Sequence, residues 1–579
     1  MLSGLNSFFY ETSNTTSMSL SFLDYASEQR ICNLLIKERV KVAIKNKLAK
    51  DNAPAIAAEI ASMMPPRRLW KNPRKQERVR VVEGNEVESR NQKQILTRSL
   101  ILTISSHRKS DETHPYLERL DQFIAALRSE IASDAPLKFD SIKIFGKTKK
   151  VDKEGWRVLR PLCLFTSLRE KILIALACEF LAEKFDHLIH EEVLSYRPAR
   201  TYHNKEKVVT DRDNAAENIL LYRRRFFRQG IYVVECDIQK YFDTINHDII
   251  LKYFSAFAQK IESETGDFGY KYAERILKGY LDSYSYFDNV ASLNEKLVSS
   301  KQRYEIPAKE AFLERGCYSD EEFEASKSKI GIPQGGALST LVSNVILSSI
   351  DCESILAKRD SSLFFNRYGD DILLMHPSKE RCQELIDSYC EALTTNKLLY
   401  HSFASVSDDA YRYEDGRTRH SIWDMKSRSP FLWGRRQGER EAMDWIGFLG
   451  YEIRSTGEVR IRRSSLNDKF KGLKRKYRSR ATTLYARGEA KLSDEKLRQK
   501  LEESVNAYAG DGLAGAKSLT RNKYSMEQAR RLDNYAGRLL RRLLFKIVKR
   551  NNLPHKLFDE YLYKAREKNC LNYRSSIKD

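Results

Sequence analysis

The stretch Phe364-Phe365-Asn366-Arg367-Tyr368-Gly369-Asp370-Asp371-Ile372-Leu373-Leu374-Met375 sets two short apolar runs on either side of a turn that carries two adjacent carboxylates. This pattern predicts a β-hairpin with acid at its tip. Neighbouring aspartates repel one another, and Asn-Gly or Asp-Gly would serve the turn better, so the pair points to a divalent cation. A solvated loop also carries paired acids. Two further stretches shift the balance towards the cation. The run Ile231-Tyr232-Val233-Val234-Glu235-Cys236-Asp237 is of β type and ends in a third carboxylate, which a two-metal site needs beside the hairpin tip. The stretch from Gly331-Ile332-Pro333-Gln334-Gly335-Gly336 to Thr340 reads as a glycine-rich turn opening a helix through Leu341, Val345 and Ile350. Such a turn lets backbone approach a nucleotide closely.

Asp237 followed by Tyr241-Phe242-Asp243, then Pro333-Gln334-Gly335-Gly336 with Ser339 and Asn344, then Tyr368-Gly369-Asp370-Asp371, and last Phe448-Leu449-Gly450-Tyr451, resemble in order and spacing the palm motifs of bacterial reverse transcriptases. This is the class of group II intron proteins, retrons and defence-associated enzymes. The resemblance runs from about Lys143 to Arg463. It implies an α+β right-hand polymerase, with fingers, an antiparallel palm sheet and a thumb, that makes DNA on an RNA template from dNTPs.

The resemblance also implies roles. Asp237 and Asp370 would bridge two Mg2+ ions, Asp371 would support the cluster, and the carbonyl of Ile238 would complete the shell. Mg2+ is the default because it takes hard oxygen ligands together with phosphates and water, and Mn2+ is a substitute. Such ions sit about 3.5–4 Å apart and stabilise the attacking and leaving oxygens. Arg157 and Arg160 match the fingers cations that clamp the triphosphate, a task suited to the planar guanidinium fork. Gln334 and Gly335 would line the nucleotide. Phe242 corresponds to the aromatic ring under the incoming sugar, where it leaves no room for a 2′-hydroxyl. Phe448, Leu449 and Gly450 would support the primer end.

The pattern departs from the family in places. Gly369 stands where the bacterial hairpin has Ala, and Ala337 and Thr340 replace two prolines; neither change touches a ligand. Ser195-Tyr196-Arg197-Pro198-Ala199-Arg200 matches the group II segment Ser-Tyr-Gly-Phe-Arg-Pro in part. The retron segments Asn-Ala-x-x-His and Val-Thr-Gly and the cysteine-bearing endonuclease tail are not found, which favours a stand-alone enzyme of antiphage defence. Two other functions stay open. Tyr-Gly-Asp-Asp is at home in RNA-dependent RNA polymerases, against which Pro333-Gln334-Gly335 and Phe242 argue. An RNA-binding splicing or scaffold protein of the same fold is the other, and three intact aspartates argue against it.

At 579 residues the chain exceeds one ordinary core and suggests about two to four lobes. Its 101 Lys and Arg against 79 Asp and Glu leave a net charge of +22, which favours polyanionic partners. These are an RNA template, a role a dedicated non-coding RNA would fill, and the DNA product. Assembly of several chains stays open. The most apolar segment, Ile172 to Leu181, is too short to span a bilayer, so no membrane is expected. The nine cysteines are scattered without zinc spacing, which fits reduced thiols in a cytoplasm.

The expected organisation is a helical extension and basic linker over 1–93, fingers over 94–230, a palm with a helical insertion over 231–447, and a primer-supporting turn, thumb and basic helical domain over 448–579. A basic amphipathic helix is predicted from about Leu23 to Lys50, and a cationic linker over Arg67-Arg68-Leu69-Trp70-Lys71. A β-ribbon studded with cations is predicted over Lys143 to Pro161. Ser167-Leu168-Arg169-Glu170 predicts a capping box that opens a helix through Phe185. The segments 248–329 and 378–445, the latter with Arg435, Arg436, Arg440 and Asp444, read as elaborations without motifs. Between Ile461 and Arg480 nine Lys or Arg face one acid, Asp468. Arg462, Lys474 and Arg478 are taken there as contacts to the nucleic-acid backbone. Helices are expected over Asp494 to Ala507 and Ser525 to Lys549. Tyr561, Tyr563 and Tyr573 are chemically able to prime synthesis on the protein itself.

Overall fold

The computed structural model describes residues 20–44, 54–74, 79–82, 86–89, 92–140, 142–195, 197, 200–201, 207–208, 212–226, 228–405, 410–412, 418–420, 425–434, 442–484, 523–550, 556, 559–561 and 563. The helices used below are α1 (Glu28–Ile44), α2 (Gln92–His107), α3 (Pro115–Ala132), α4 (Leu168–Phe185), α5 (Arg212–Phe226), α6 (His247–Thr265), α7 (Tyr270–Asp282), α8 (Ala337–Ser354), α9 (Lys379–Thr395), α10 (Arg463–Leu484) and α11 (Lys523–Arg550). The strands are β1 (Ile142–Val151), β2 (Arg157–Phe165), β3 (Tyr232–Asp237), β4 (Gln302–Tyr304), β5 (Phe364–Tyr368), β6 (Asp371–His376), β7 (Phe403–Ala404), β8 (Ser427–Trp433), β9 (Ala442–Met443), β10 (Trp445–Phe448), β11 (Tyr451–Arg454) and β12 (Val459–Ile461).

The central sheet has the order β7-β8-β3-β6-β5, with β9 beside β8. Its strands read as near-continuous apolar runs because both faces are buried. Val234, Cys236, Ile372 and Leu374 join the core of α4, α8 and α9, whereas Val233, Leu373 and Met375 meet α5 and the β10–β12 sheet. The sheet is antiparallel across β8, β3, β6 and β5, but β7 and β9 pair with β8 in parallel, so it is mixed rather than antiparallel throughout. The connection from β7 to β8, residues 405–426, is long enough for a parallel pairing.

Two segments read as elaborations turn out to be structural. The 378–445 segment supplies β8, which pairs directly with β3. Of its charges, Arg435, Arg436 and Arg440 lie outside the described residues, while the Asp444 carboxylate lies 3.8 Å from Arg454 Nη2. The 248–329 segment supplies α6 and α7, and also β4, which extends the β1–β2 ribbon in parallel with β2. A three-residue strand carries too little periodicity to be read from sequence.

The ribbon itself forms as expected, β1 pairing with β2 from Ile142–Phe165 to Val151–Arg157. Helix α4 is capped by Ser167, whose hydroxyl accepts the Glu170 N–H, while the Glu170 carboxylate accepts from Asp140 N–H. Helix α1 buries Ile31, Leu34, Leu35 and Val40, and its cations turn to protein partners: Lys37 pairs with Glu179 at 3.2 Å and Arg39 lies over Trp70. In the linker, Trp70 is buried and donates to the Pro65 carbonyl. Among the described residues one helical stretch, Ala337–Lys358, is long and apolar enough to cross a membrane by length and composition. It is mostly buried at the centre of the fold and carries buried Ser339, Ser343, Asn344 and Asp351, the pattern of a core helix. Helices α10 and α11 pack together through buried Tyr477, Leu540, Leu543 and Leu544 and a Phe470–Tyr535 edge contact. The segment 494–507 and Tyr573 lie outside the described residues; Tyr561 is buried and Tyr563 exposed.

Phe180 on α4 joins the N-terminal helices to this core, meeting Phe22 and Tyr25 edge-on at 5.0 Å and stacking near Phe268. Phe180→Ala is therefore expected to destabilise by about 3–5 kcal/mol. Melting followed at once by probes on α1 and on the sheet should show both shifting together; a shift confined to α1 would contradict a shared core.

Candidate active site

The hairpin β5–β6 closes through a two-residue loop, Gly369-Asp370, with Tyr368 paired to Asp371. Gly369 sits at φ +67°, a conformation that favours glycine in a tight hairpin turn. The loop is held from behind. Gly369 N–H donates to the Ser195 hydroxyl at 2.7 Å, and its carbonyl accepts from Arg367 Nη1 at 3.2 Å. Asn344 of α8 in turn holds the Ser195 carbonyl at 2.9 Å. Arg367 is fully buried and pairs through Nε with Asp351 of α8 at 2.5 Å, while His190 Nε2 meets the same Asp351 oxygen at 2.8 Å. Burial alone would lower the His190 pKa, but Asp351 and Glu192 hold it above the usual value.

In front of the loop, Asp371 pairs in register with Asp237 across β6 and β3. Asp237, Asp370 and Asp371 line one cleft of about 630 Å³, whose walls include Glu235, Lys426, Arg428 and the Phe448-Leu449-Gly450 turn. Loss of solvent, then the charges of its two neighbours, pushes Asp371 up to about 7; Asp370 is raised by burial and Asp237. Asp237 Oδ2 touches Lys426 Nζ and lies 3.6 Å from His401 Nε2. Its N–H donates to the Ser427 hydroxyl at 3.1 Å. Behind them Glu235 is buried and ion-paired with Arg428. The bridge between Ile238 and Tyr400 runs through the Asp237 and Leu399 carbonyls and leaves the Ile238 carbonyl out of it. The three aspartates do not converge on one point, and among the described residues no group of three His, Cys, Asp or Glu is set to hold a metal ion. The donor set still fits hard divalent cations: three carboxylates share one cleft, and the negative charge there is concentrated enough to draw in a lysine.

The other expected residues fall in distinct places. Leu449 and Gly450 adopt positive φ at the β10–β11 turn beside the aspartates. Arg462 is in the cleft wall, packed so closely on Gly447 that a Cβ there would lie 2.3 Å from its Nη2, whereas Lys474 and Arg478 are exposed on α10. Gln334 donates to Asp243 at 2.5 Å, its carbonyl accepts the Cys163 N–H, and Gly335 sits at φ +94°. Phe242 is half-buried against Tyr241. Arg160 is near enough to influence Asp370 and Asp243, but Arg157 lies at the far end of the ribbon opposite Val151.

Sequence reasoning missed Lys426, His401, Arg367 and Asp351. An arginine inside an apolar strand and an acid inside an apolar helix were the available signal for the last two, since buried charges are paired. Lys426 lay in a charge-rich stretch and gave none.

Residues 277–402 match the family model described as reverse transcriptase (RNA-dependent DNA polymerase). The match includes the Gly331–Thr340 turn and the Asp370-Asp371 hairpin, so the chain carries a reverse transcriptase domain. By that domain it is an RNA-directed DNA polymerase, a nucleotidyltransferase. No curated protein matches the chain. Among solved structures, apo telomerase from Candida tropicalis is 13% identical with a TM-score of 0.36, over 84% of this chain and 74% of that one. Telomerase from Candida albicans with a TWJ fragment of telomeric RNA is 13% identical with a TM-score of 0.35, over 89% and 69%.

Removing Arg367 leaves the buried Asp351 with His190 as its remaining partner, so Arg367→Leu should cost at most about 3–5 kcal/mol. Adding Asp351→Leu should recover much of that stability but not the hold on Gly369, so nucleotide incorporation should stay low; recovery of both would make the pair purely structural. Asp243 yields a pH prediction. Burial, against Gln334 and Lys240, holds its pKa up at about 6. The native state therefore keeps a proton that the unfolded chain sheds near pH 4, and stability falls as pH rises from about 4 to 6, by up to about 3 kcal/mol. Asp243→Asn removes this loss, so its melting temperature should exceed that of wild type at pH 7.5 and approach it at pH 4.5.

Proposed function

We propose that the chain is a right-hand polymerase that copies RNA into DNA by two-metal nucleotidyl transfer, with Asp237, Asp370 and Asp371 as the metal-holding carboxylates. The observation that carries this reading is the placement of all three in one cleft, Asp237 opposite Asp371 across paired strands and Asp370 in the adjoining tight turn. Divalent cations, Mg2+ by default and Mn2+ as a substitute, would supply charge neutralisation and a more acidic 3′-hydroxyl there.

The chain's own groups supply the rest. Phe448, Leu449 and Gly450 line the same cleft and support the primer end. Arg160 and the ribbon lysines receive the triphosphate. Gln334 fixes Asp243 behind the half-buried Phe242, whose ring sits under the incoming sugar. Exposed Lys474 and Arg478 on α10, with Arg541, Arg542 and Lys546 on α11, form a cationic face for nucleic-acid phosphates. Arg462 acts within the cleft. The eight described cysteines are all unpaired, which supports a reducing, cytoplasmic setting. The finer assignment, to antiphage defence, rests on the resemblance of motifs alone.

Primer extension on an RNA template tests the reading. Wild type should incorporate deoxynucleotides in preference to ribonucleotides, and Asp370→Asn should lose more than about 100-fold of that activity while melting no lower than wild type, since carboxylate repulsion is relieved. Undiminished synthesis by Asp370→Asn would remove the metal assignment, and a ribonucleotide preference in wild type would replace the reading with RNA synthesis.

A further inference from the structure

The 248–329 segment does more than extend the ribbon. Directly after β4, Glu305 reaches back to the β1 cations, its carboxylate lying 3.3 Å from Lys149 Nζ and 3.0 Å from Lys150 Nζ. Its carbonyl accepts from Lys240 Nζ at 3.0 Å and from the Tyr286 hydroxyl at 3.0 Å. Tyr304 before it is clamped by both ends of the Asn294 amide, at 2.7 and 3.1 Å, so the backbone of Glu305 is firmly placed. Burial would raise the Glu305 pKa, but Lys150, Lys149 and Lys240 bring it down to about 2, and the group is fully ionised at neutral pH.

This cluster borders the catalytic carboxylates. Lys240 is three residues beyond Asp237 and sits at φ +52° at the start of the Tyr241–Thr244 turn. Lys149, Lys240 and Lys426 all act on His401, which touches Asp237, and Lys149, Lys240 and Arg160 act on Asp243. A site with three lysines and an arginine next to a nucleotidyl-transfer centre has the charge to seat a polyphosphate. In this structure the Glu305 carboxylate is ion-paired with two of these lysines, Lys149 and Lys150.

We propose that Glu305 is an internal anion seated where the polyphosphate of the incoming nucleotide docks, which that polyphosphate displaces from Lys149 and Lys150. The proposal rests on the polymerase reading above and adds a residue that sets nucleotide affinity. Because the strand is clamped, release is a rotation of the Glu305 side chain and not an opening of the ribbon. Both ion pairs are half-exposed, so the exchange is a modest competition and not a lock.

The test is binding of inorganic tripolyphosphate and of dGTP to the full chain by calorimetry, beside steady-state incorporation. Glu305→Gln keeps the shape and removes the charge. It should bind tripolyphosphate about three- to tenfold more tightly, the size expected from losing competition by one or two half-exposed ion pairs, with the gain in incorporation expressed in KM and not in kcat. Glu324→Gln, which removes an equal charge from a surface pair with Lys309 in the same segment, controls for net charge and should leave tripolyphosphate affinity unchanged. Lys149→Gln with Lys150→Gln should weaken tripolyphosphate binding, with folding checked by melting temperature. Unchanged or weaker binding by Glu305→Gln, or equal tightening by Glu324→Gln, overturns the proposal. The two readings fail separately. Tighter tripolyphosphate binding in a chain that incorporates no nucleotide would keep the anion seat and remove the polymerase. Incorporation lost in Asp370→Asn, with no effect of Glu305→Gln on binding, would do the reverse.

Discussion

Like charges set directly opposite on paired strands destabilise a sheet, and Asp237 and Asp371 occupy such a pair with Asp370 in the adjoining turn. Much of the architecture around them compensates for this. In front, Lys426 contacts Asp237 and His401 stands beside it. Below, Glu235 would add a fourth negative charge, but Arg428 pairs with it and Arg462 is drawn into the same wall. Gly447 has no side chain because the Arg462 guanidinium fills the space a Cβ would need. Asp370 and Asp371 are left with raised pKa values, a condition that the proposed cations would relieve.

Repulsion alone would push the hairpin loop out of place, so its position has to be set from behind. The Ser195 hydroxyl and the Arg367 guanidinium hold the two backbone polar groups of Gly369, and α8 supplies the partners of both through Asn344 and Asp351. One helix therefore presents the glycine-rich turn at its N-terminal end and braces the acidic turn from its middle. This accounts for a buried asparagine and aspartate in a helix otherwise apolar enough to be mistaken for a membrane segment.

The locally encoded parts were legible in the sequence. The hairpin, β3, the opening of α8 and the β1–β2 ribbon each announce themselves through apolar runs and turn glycines within a dozen residues. The motif resemblance placed Asp237, Asp370, Asp371 and Phe448-Leu449-Gly450 together before any coordinates did. What escaped was long-range and charged. Strand β8 joins β3 across some 190 positions of sequence, His190 meets Asp351 across 161, and nothing in the composition near Lys426 separates it from solvated neighbours. Arg462 was grouped with Lys474 and Arg478 by charge density, yet Arg462 lies in the cleft wall just before α10, while Lys474 and Arg478 are exposed further along that helix. Periodicity reports which face of an element is apolar, and is silent on which distant charge an ion will choose.

Ions of both signs already occupy the site's approaches, Lys426 on the acidic side and Glu305 on the basic side. A chain with net charge +22 could have left its ribbon lysines bare, at the price of holding any polyanion indiscriminately. With both groups in place, seating a nucleotide on the proposed reading would be an exchange of ion partners, carboxylate for phosphate at Lys149 and Lys150. An exchange conserves the number of ion pairs, so its net free energy is small compared with that of either pair formed from water. On that reading, selectivity would fall to the geometry a polyphosphate can satisfy and a lone carboxylate cannot: several oxygens reaching Lys149, Lys150, Lys240 and Arg160 at once.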